Sequence, residues 1–265
     1  MRSFVTTFLL YSFFEGGTMR EKMKKSLLVL LTTLAMVFAI GMMASAATVP
    51  VTLGQVAEGY GNTQFVFNLS APSKVSVYGI RIYSSGITGG FSAKLYNSQG
   101  KGLDIYTYGQ TINTDGTVYY GLKAGQYTLS VEQYDTTRAR IMIQADTWKD
   151  LKNNKKSKAT TLKKGKTVKS LLAGGEKGTT TDWYKFKITK KKKIKVAYET
   201  YGDGILEFTF FGPSIYKGGT TIYENDNVKG TLFTRKKVRP GTYYLRVRRN
   251  KYYKNSNWAY SLKLK

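Results

Sequence analysis

From residue 47 onward the chain spells one alternating pattern twice. Phe67, Leu69, Val75 and Val77 recur as Phe186, Ile188, Ile194 and Val196 at an offset of 119. The run Ala124-Gly125-Gln126-Tyr127-Thr128-Leu129-Ser130-Val131 recurs as Pro240-Gly241-Thr242-Tyr243-Tyr244-Leu245-Arg246-Val247 at an offset of 116. Apolar residues fall at every second position, the period of a strand with one face against a core. Runs rich in Val, Ile, Tyr, Phe and Thr, broken by Gly and Asn, continue to the end, and no stretch holds a helical period. Each repeat closes on its own alternating strand, Arg140 to Gln144 and Trp258 to Lys265. Short antiparallel strands at this spacing predict an all-β protein of two tandem antiparallel β-sandwiches, jelly-roll-like, after an N-terminal signal peptide.

The expected boundaries are a leader over 1–46, a first sandwich over 47–147, a linker over 148–156 and a second sandwich over 157–265. In the leader, Arg20, Lys22, Lys24 and Lys25 precede the apolar run Leu27 to Met43, which ends in Ala44-Ser45-Ala46 before Ala47. That order is a secretory signal peptide cut after Ala46. A second apolar stretch, Phe4 to Phe14, stands ahead of the basic segment and fits no such signal, so the expected start is Met19 or Met23. The small-residue cleavage site argues against a retained membrane anchor, and no Cys follows to carry a lipid. The expected location is extracellular, free or held non-covalently at the cell surface. Lys149, Lys152, Asn153, Asn154, Lys155, Lys156 and Lys158 read as a solvated linker with little to bury, so the repeats are expected to fold independently.

The chain has no His and no Cys. Ser-His-Asp and Cys-His nucleophiles, an imidazole base, the usual zinc sites and disulfides are therefore excluded. Among carboxylates, Glu199, Asp203, Glu207, Glu224 and Asp226 sit among turn residues, and no pattern sets two of them across a cleft. No catalytic residue and no enzyme is expected. Asn225-Asp226-Asn227 and Gly202-Asp203-Gly204 offer oxygen ligands, but neither has the spacing of an EF-hand loop, and Asx-rich turns look the same. No cofactor or metal is expected, and calcium is left without support.

The formal charge is +26. Residues 148–265 hold 30 Lys and Arg against 8 Asp and Glu, whereas residues 47–147 hold 7 against 6. Strand parity turns much of that charge outward. With Phe186 and Ile188 inside, Lys185 and Lys187 face solvent; by the same rule Lys193, Lys195, Arg246, Arg248 and Lys263 are exposed. These residues form the candidate polyanion-binding set, and an anionic polysaccharide or cell-wall polymer, such as teichoic acid or an acidic glycan, is the expected partner. No recognised nucleic-acid motif accompanies the charge, so no specific nucleic-acid partner is expected. The alternative is a neutral-glycan or protein-binding accessory module working through Tyr-rich loops, with Tyr252 and Tyr253 as stacking contacts. Without His, binding is expected to be flat between about pH 5.5 and 8.

The second repeat resembles the bacterial pre-peptidase C-terminal domain. Asp182-Trp183-Tyr184-Lys185-Phe186 is similar to that family's D-W-Y-x-F opening strand, Pro240 to Val247 to its P-G-x-Y-x-L-x-V strand, and Trp258-Ala259-Tyr260-Ser261-Leu262 to its closing Y-x-L strand. The first repeat keeps Gly125 to Leu129 but has Thr63-Gln64-Phe65-Val66-Phe67 at the opening, and is a more diverged copy. The resemblance implies a β-sandwich accessory module for secretion, adhesion or substrate binding, without catalysis, and a secreted protease as a further partner. Relatives on collagenases bind calcium through acidic clusters, and no such cluster carries over residue by residue.

Overall fold

The computed structural model describes residues 46–80, 91–104, 110–112, 116–132, 138–173, 181–215, 218–223, 227–250, 253 and 255–265. The leader before Ala46, together with Glu224, Asn225, Asp226 and Tyr252, lies outside them. None of the helices among the described residues is long and apolar enough to cross a membrane.

The first repeat forms β1 (Ala47–Pro50), β2 (Val56–Tyr60), β3 (Thr63–Leu69), β4 (Ser73–Gly79), β5 (Phe91–Asn97), β6 (Gln110–Ile112), β7 (Thr117–Leu122), β8 (Gly125–Glu132) and β9 (Arg138–Thr147). The second forms β10 (Thr160–Thr161), β11 (Thr167–Leu172), β12 (Thr181–Ile188), β13 (Lys195–Gly202), β14 (Ile205–Phe211), β15 (Gly218–Tyr223), β16 (Val228–Phe233), β17 (Gly241–Arg249) and β18 (Trp258–Leu264). Strands β1-β3-β8-β5-β6 make a five-stranded sheet and β2-β9-β4-β7 a four-stranded one; adding nine to each number gives the two sheets of the second repeat. The duplication read from the sequence is therefore a duplicated topology. In both copies the first strand runs parallel to the third, and the long central pair is antiparallel.

Register confirms the alignment: Phe67 stands opposite Tyr127, and Phe186 opposite Tyr243. The rings stack at 5.6 Å and 6.4 Å. Each tyrosine hydroxyl donates to a carbonyl four residues upstream, Tyr127 to Lys123 at 3.0 Å and Tyr243 to Arg239 at 2.8 Å. That bond ties the turn to the strand and lets a large polar-tipped ring be buried. Gly125 and Gly241 open these strands at φ 150° and 153°, a conformation that a side chain rarely adopts. The alternating apolar residues meet between the sheets, Phe65, Val77, Leu129 and Ile141 in one core and Phe186, Val196, Leu245 and Leu262 in the other. Each such side chain contributes ~1.5 to 3 kcal/mol when fully buried.

The copies differ coherently in one buried patch. In the second, Ser170 Oγ donates to Asp182 Oδ2 at 3.0 Å, Tyr260 Oη donates to the same oxygen, and the Tyr184 and Tyr260 hydroxyls lie 2.7 Å apart. Register places Gly59, Thr63, Phe65 and Ala139 at the matching positions of the first. The whole network is exchanged as a unit, because a partial set would bury an unsatisfied polar group.

The connector is not the solvated linker expected. Its lysines are exposed, but Trp148 and Asn153 are buried at 5% and 1% exposure. Trp148 packs with Leu171 and Ala259 of the second sandwich, beside Tyr201. Tyr119 of β7 meets the Tyr201 ring at 5.3 Å, and Lys74 Nζ lies 4.5 Å from the centre of that ring. Asn257 Nδ2 donates to the Leu103 carbonyl at 2.6 Å. Strand β7 packs on β13 and β18, and a Cβ at Gly121 would overlap the backbone of Trp258 and Ala259. The linker, expected to have little to bury, thus buries Trp148 and Asn153. Gly121→Val should force the sandwiches apart and lower stability by about 1 to 3 kcal/mol, read as a lower urea midpoint; an unchanged midpoint would mean that this contact is dispensable.

Candidate functional site

The predicted cationic residues do not share one face. Lys185 and Lys187 of β12 and Arg246 and Arg248 of β17 lie on the outer face of the five-stranded sheet, whose inner face carries Tyr184, Phe186, Leu245 and Val247. Lys195 of β13 and Lys263 of β18 lie on the opposite four-stranded sheet. Lys193 is exposed in the loop before β13. Parity tells which residues leave the core, but the second sandwich has two outsides.

On the five-stranded face, register sets Trp183 opposite Arg246, Lys185 opposite Tyr244 and Lys187 opposite Thr242. From the other side Glu207, Thr209 and Phe211 of β14 stand opposite Arg248, Arg246 and Tyr244. The Trp183 and Phe211 rings meet across β17 at 5.2 Å, and the Arg246 guanidinium carbon lies 5.9 Å and 5.2 Å from their centres. Lys156, in the single 3-10 turn of the connector, brings Nζ to 4.6 Å from the Tyr244 ring centre. Trp183, Phe211, Tyr244 and Lys156 were absent from the predicted set. Trp183 has the parity of Lys185 and could have been read from it, whereas the approach of Phe211 and Lys156 depends on strand order.

The cations of this face are unequal. Arg248 is tied to Glu207 by bonds of 2.9 Å and 2.6 Å to one carboxylate oxygen, while Asn250 Nδ2 donates to the other at 2.8 Å. Arg248 is therefore neutralised in place. Arg246 makes only a long 3.4 Å bond to Thr209, and its Nε is buried without an acceptor among the described residues. Burial first, and then the Arg248 charge, hold it below its ordinary pKa. Lys185 and Lys187 are exposed and enter no ion pair among the described residues. A guanidinium and two exposed lysines on one sheet face are chemistry suited to anionic oxygens.

Glu199 and Glu207 lie on different sheets and do not pair with each other. Glu207 is bound to Arg248, and Glu199, on the other sheet, lies 2.8 Å from Lys229. Burial pushes Glu199 up, but Lys229 and Tyr201 outweigh it and leave it below its ordinary pKa. Asp203 is buried next to the contact between sandwiches. Among the described residues no group of three or more acidic side chains could hold a metal. Tyr253 is half-buried, its N–H bonded to the Asn250 carbonyl at 3.2 Å.

Folding stability, as distinct from binding, should depend on pH. Burial is the main cause that raises Asp104, Asp182 and Asp203 to about 6 each, against hydrogen bonds from Leu95 and Tyr120, from Tyr260 and Ser170, and from Gly204 respectively. For a carboxyl raised in the fold, stability is greatest below the unfolded value of 3.8 and declines as pH climbs to about 6. Asp182→Asn keeps an acceptor for Ser170 and Tyr260 but cannot ionise. Its stability relative to wild type should be greater at pH 7.5 than at pH 4.5, by up to about 3 kcal/mol. Urea melts at the two pH values measure this, and an equal difference at both would place the Asp182 pKa near its unfolded value.

No family model matches the chain, and no curated protein does. Solved structures do. The chain is similar to the pre-peptidase C-terminal domain of a collagenase from Bacillus anthracis, at 24% identity over 40% of this chain and 94% of that one, with a TM-score of 0.31. It is also similar to Salmonella Typhimurium PliG, a periplasmic inhibitor of g-type lysozyme, at 16% identity over 40% of this chain and 98% of that one, with a TM-score of 0.27. A third similarity is to the M60 catalytic domain of Clostridium perfringens ZmpB with its two CBM51 domains, at 10% identity over 80% of this chain and 34% of that one, TM-score 0.27.

Proposed function

We propose that the protein is an exported, non-catalytic binding module that holds an anionic envelope or matrix polymer on the outer five-stranded face of its second sandwich. The observation that carries this reading is Arg246, whose guanidinium lies against both Trp183 and Phe211 on the same sheet face as Lys185 and Lys187, which enter no ion pair among the described residues. Arg248, Lys193, Lys195 and Lys263 are left out of the contact set, the first because Glu207 occupies it and the others because they lie elsewhere. The first sandwich supplies the contrast. At positions matching Trp183, Lys185, Lys187, Arg246 and Arg248 it has Gln64, Val66, Asn68, Ser130 and Glu132, so the scaffold does not require the cations. Export through the leader that ends at Ala44-Ser45-Ala46 would bring this face to such a polymer.

The combined variant Lys185→Gln, Lys187→Gln, Arg246→Gln should weaken binding of the exported chain to purified teichoic acid at least tenfold and flatten its salt dependence. The variant Lys195→Gln, Lys263→Gln, on the opposite sheet, should change affinity less than twofold at equal ionic strength. Equal losses in the two variants would leave only diffuse charge attraction and contradict a localised face.

A further inference from the structure

Where the connector meets both sandwiches there is a cavity of about 300 Å³, at the small end of the ~300 to 1,000 Å³ typical of small-molecule sites. Three lysines line it, Lys123 from the turn between β7 and β8 and Lys152 and Lys158 from the connector. Leu171, Leu172 and Ala173 supply an apolar wall, and Asp150 and Asn154 supply polar atoms. Lys123 reaches Asp150 at 3.7 Å, whereas Lys152 and Lys158 enter no ion pair among the described residues. Asp182 also borders the cavity, but its Oδ2 is engaged by Ser170 and Tyr260.

The wall that carries Lys152 and Lys158 is fixed in place. Asn153 Nδ2 donates to the Trp183 carbonyl at 2.7 Å, and Trp183 N–H donates to the Asn153 carbonyl at 2.9 Å. This pair of bonds clamps the connector between Lys152 and Asn154. Lys152 has φ 50°, the one positive φ of a non-glycine residue among those described. A left-handed lysine costs ~1 to 2 kcal/mol. Glycine would relieve that cost, and residues held in such sparsely populated conformations cluster at ligand clamps.

We propose that this cavity is a binding site for a compact hydroxylated carboxylate, a sugar acid of one ring. The ammonium groups of Lys152 and Lys158 take the carboxylate in charge-assisted hydrogen bonds. Leu171, Leu172 and Ala173 cover the C–H face of the ring, and Asp150 and Asn154 meet its hydroxyls. The site needs both sandwiches, since Lys123 belongs to the first and the apolar wall to the second. It is separate from the outer sheet face and stands even if that face binds nothing. The acid can arrive as a free solute or as the terminal unit of a polyuronate.

Calorimetric titration of the exported chain with glucuronate, a tetra-uronide and glucose tests this. One equivalent of glucuronate or of the tetra-uronide should bind, with glucose at least tenfold weaker; binding of both acids marks a site for the free solute, and binding of the tetra-uronide alone marks one for a chain end. Lys152→Gly with Lys158→Ala should cost at least tenfold in affinity, and Lys152→Gly alone should leave the thermal midpoint unchanged or higher, which a merely structural lysine would not do. The outer-face triple variant should bind glucuronate or the tetra-uronide end as wild type does. No saturable binding of either acid, equal binding of glucose, or full affinity in the Lys152 and Lys158 variant would overturn the proposal.

Discussion

The packing of β7 onto β13 and β18 governs how the rest of the molecule is arranged. An edge strand of a sheet presents unpaired backbone and half-covered side chains, and proteins commonly cover such edges. Here the second sandwich is the cover. Gly121 permits the approach because it has no Cβ to meet the Trp258 and Ala259 backbone, and Tyr119, Tyr201 and Trp148 fill the space beside it. Once these rings are in place the connector has no free path. It must run along the second sandwich, where Asn153 pairs with Trp183, Lys156 reaches Tyr244, and the lysine-lined cavity is left between the parts.

Much of the fold was legible because period-two alternation is a direct image of a sheet with one buried face. The offsets of 119 and 116 fixed which strands correspond, and Tyr127 could be placed in the core from its parity with Leu129 and Val131. Parity has no information on strand order, however. Lys195 and Lys263 could not be separated from Lys185 and Lys187 without knowing that β13 and β18 belong to the other sheet. Nor could Arg248 be known as neutralised, since Glu207 reaches it from a strand 41 residues away. The connector was misread for a related reason: its lysines dominate its composition, while Trp148 and Asn153 determine its structure.

The duplication separates scaffold from specialisation. What both copies keep is the nine-strand order, the stacked Phe and Tyr pair, and the tyrosine hydroxyl bond across the turn. What differs is concentrated in two places. The buried Asp182 network is confined to the second copy, with Thr63 and Gly59 in its stead in the first, and the set Trp183, Lys185, Lys187 and Arg246 has no counterpart in the first, whose matching face carries Lys94, paired with Glu132, and Tyr96. A buried carboxylate without a cation is a weak route to stability, so the Asp182 network is better understood as fixing the geometry of β12. That strand carries Trp183, Lys185 and Lys187 on its other side.

All of this supposes that the two sandwiches behave as one body, with the contact between them contributing to the stability of each. Differential scanning calorimetry of the exported chain tests that supposition most directly. A single transition whose calorimetric and van't Hoff enthalpies agree is the predicted result. Two separable transitions, or a calorimetric enthalpy near twice the van't Hoff value, would show that each copy unfolds without regard to the other and would contradict the account.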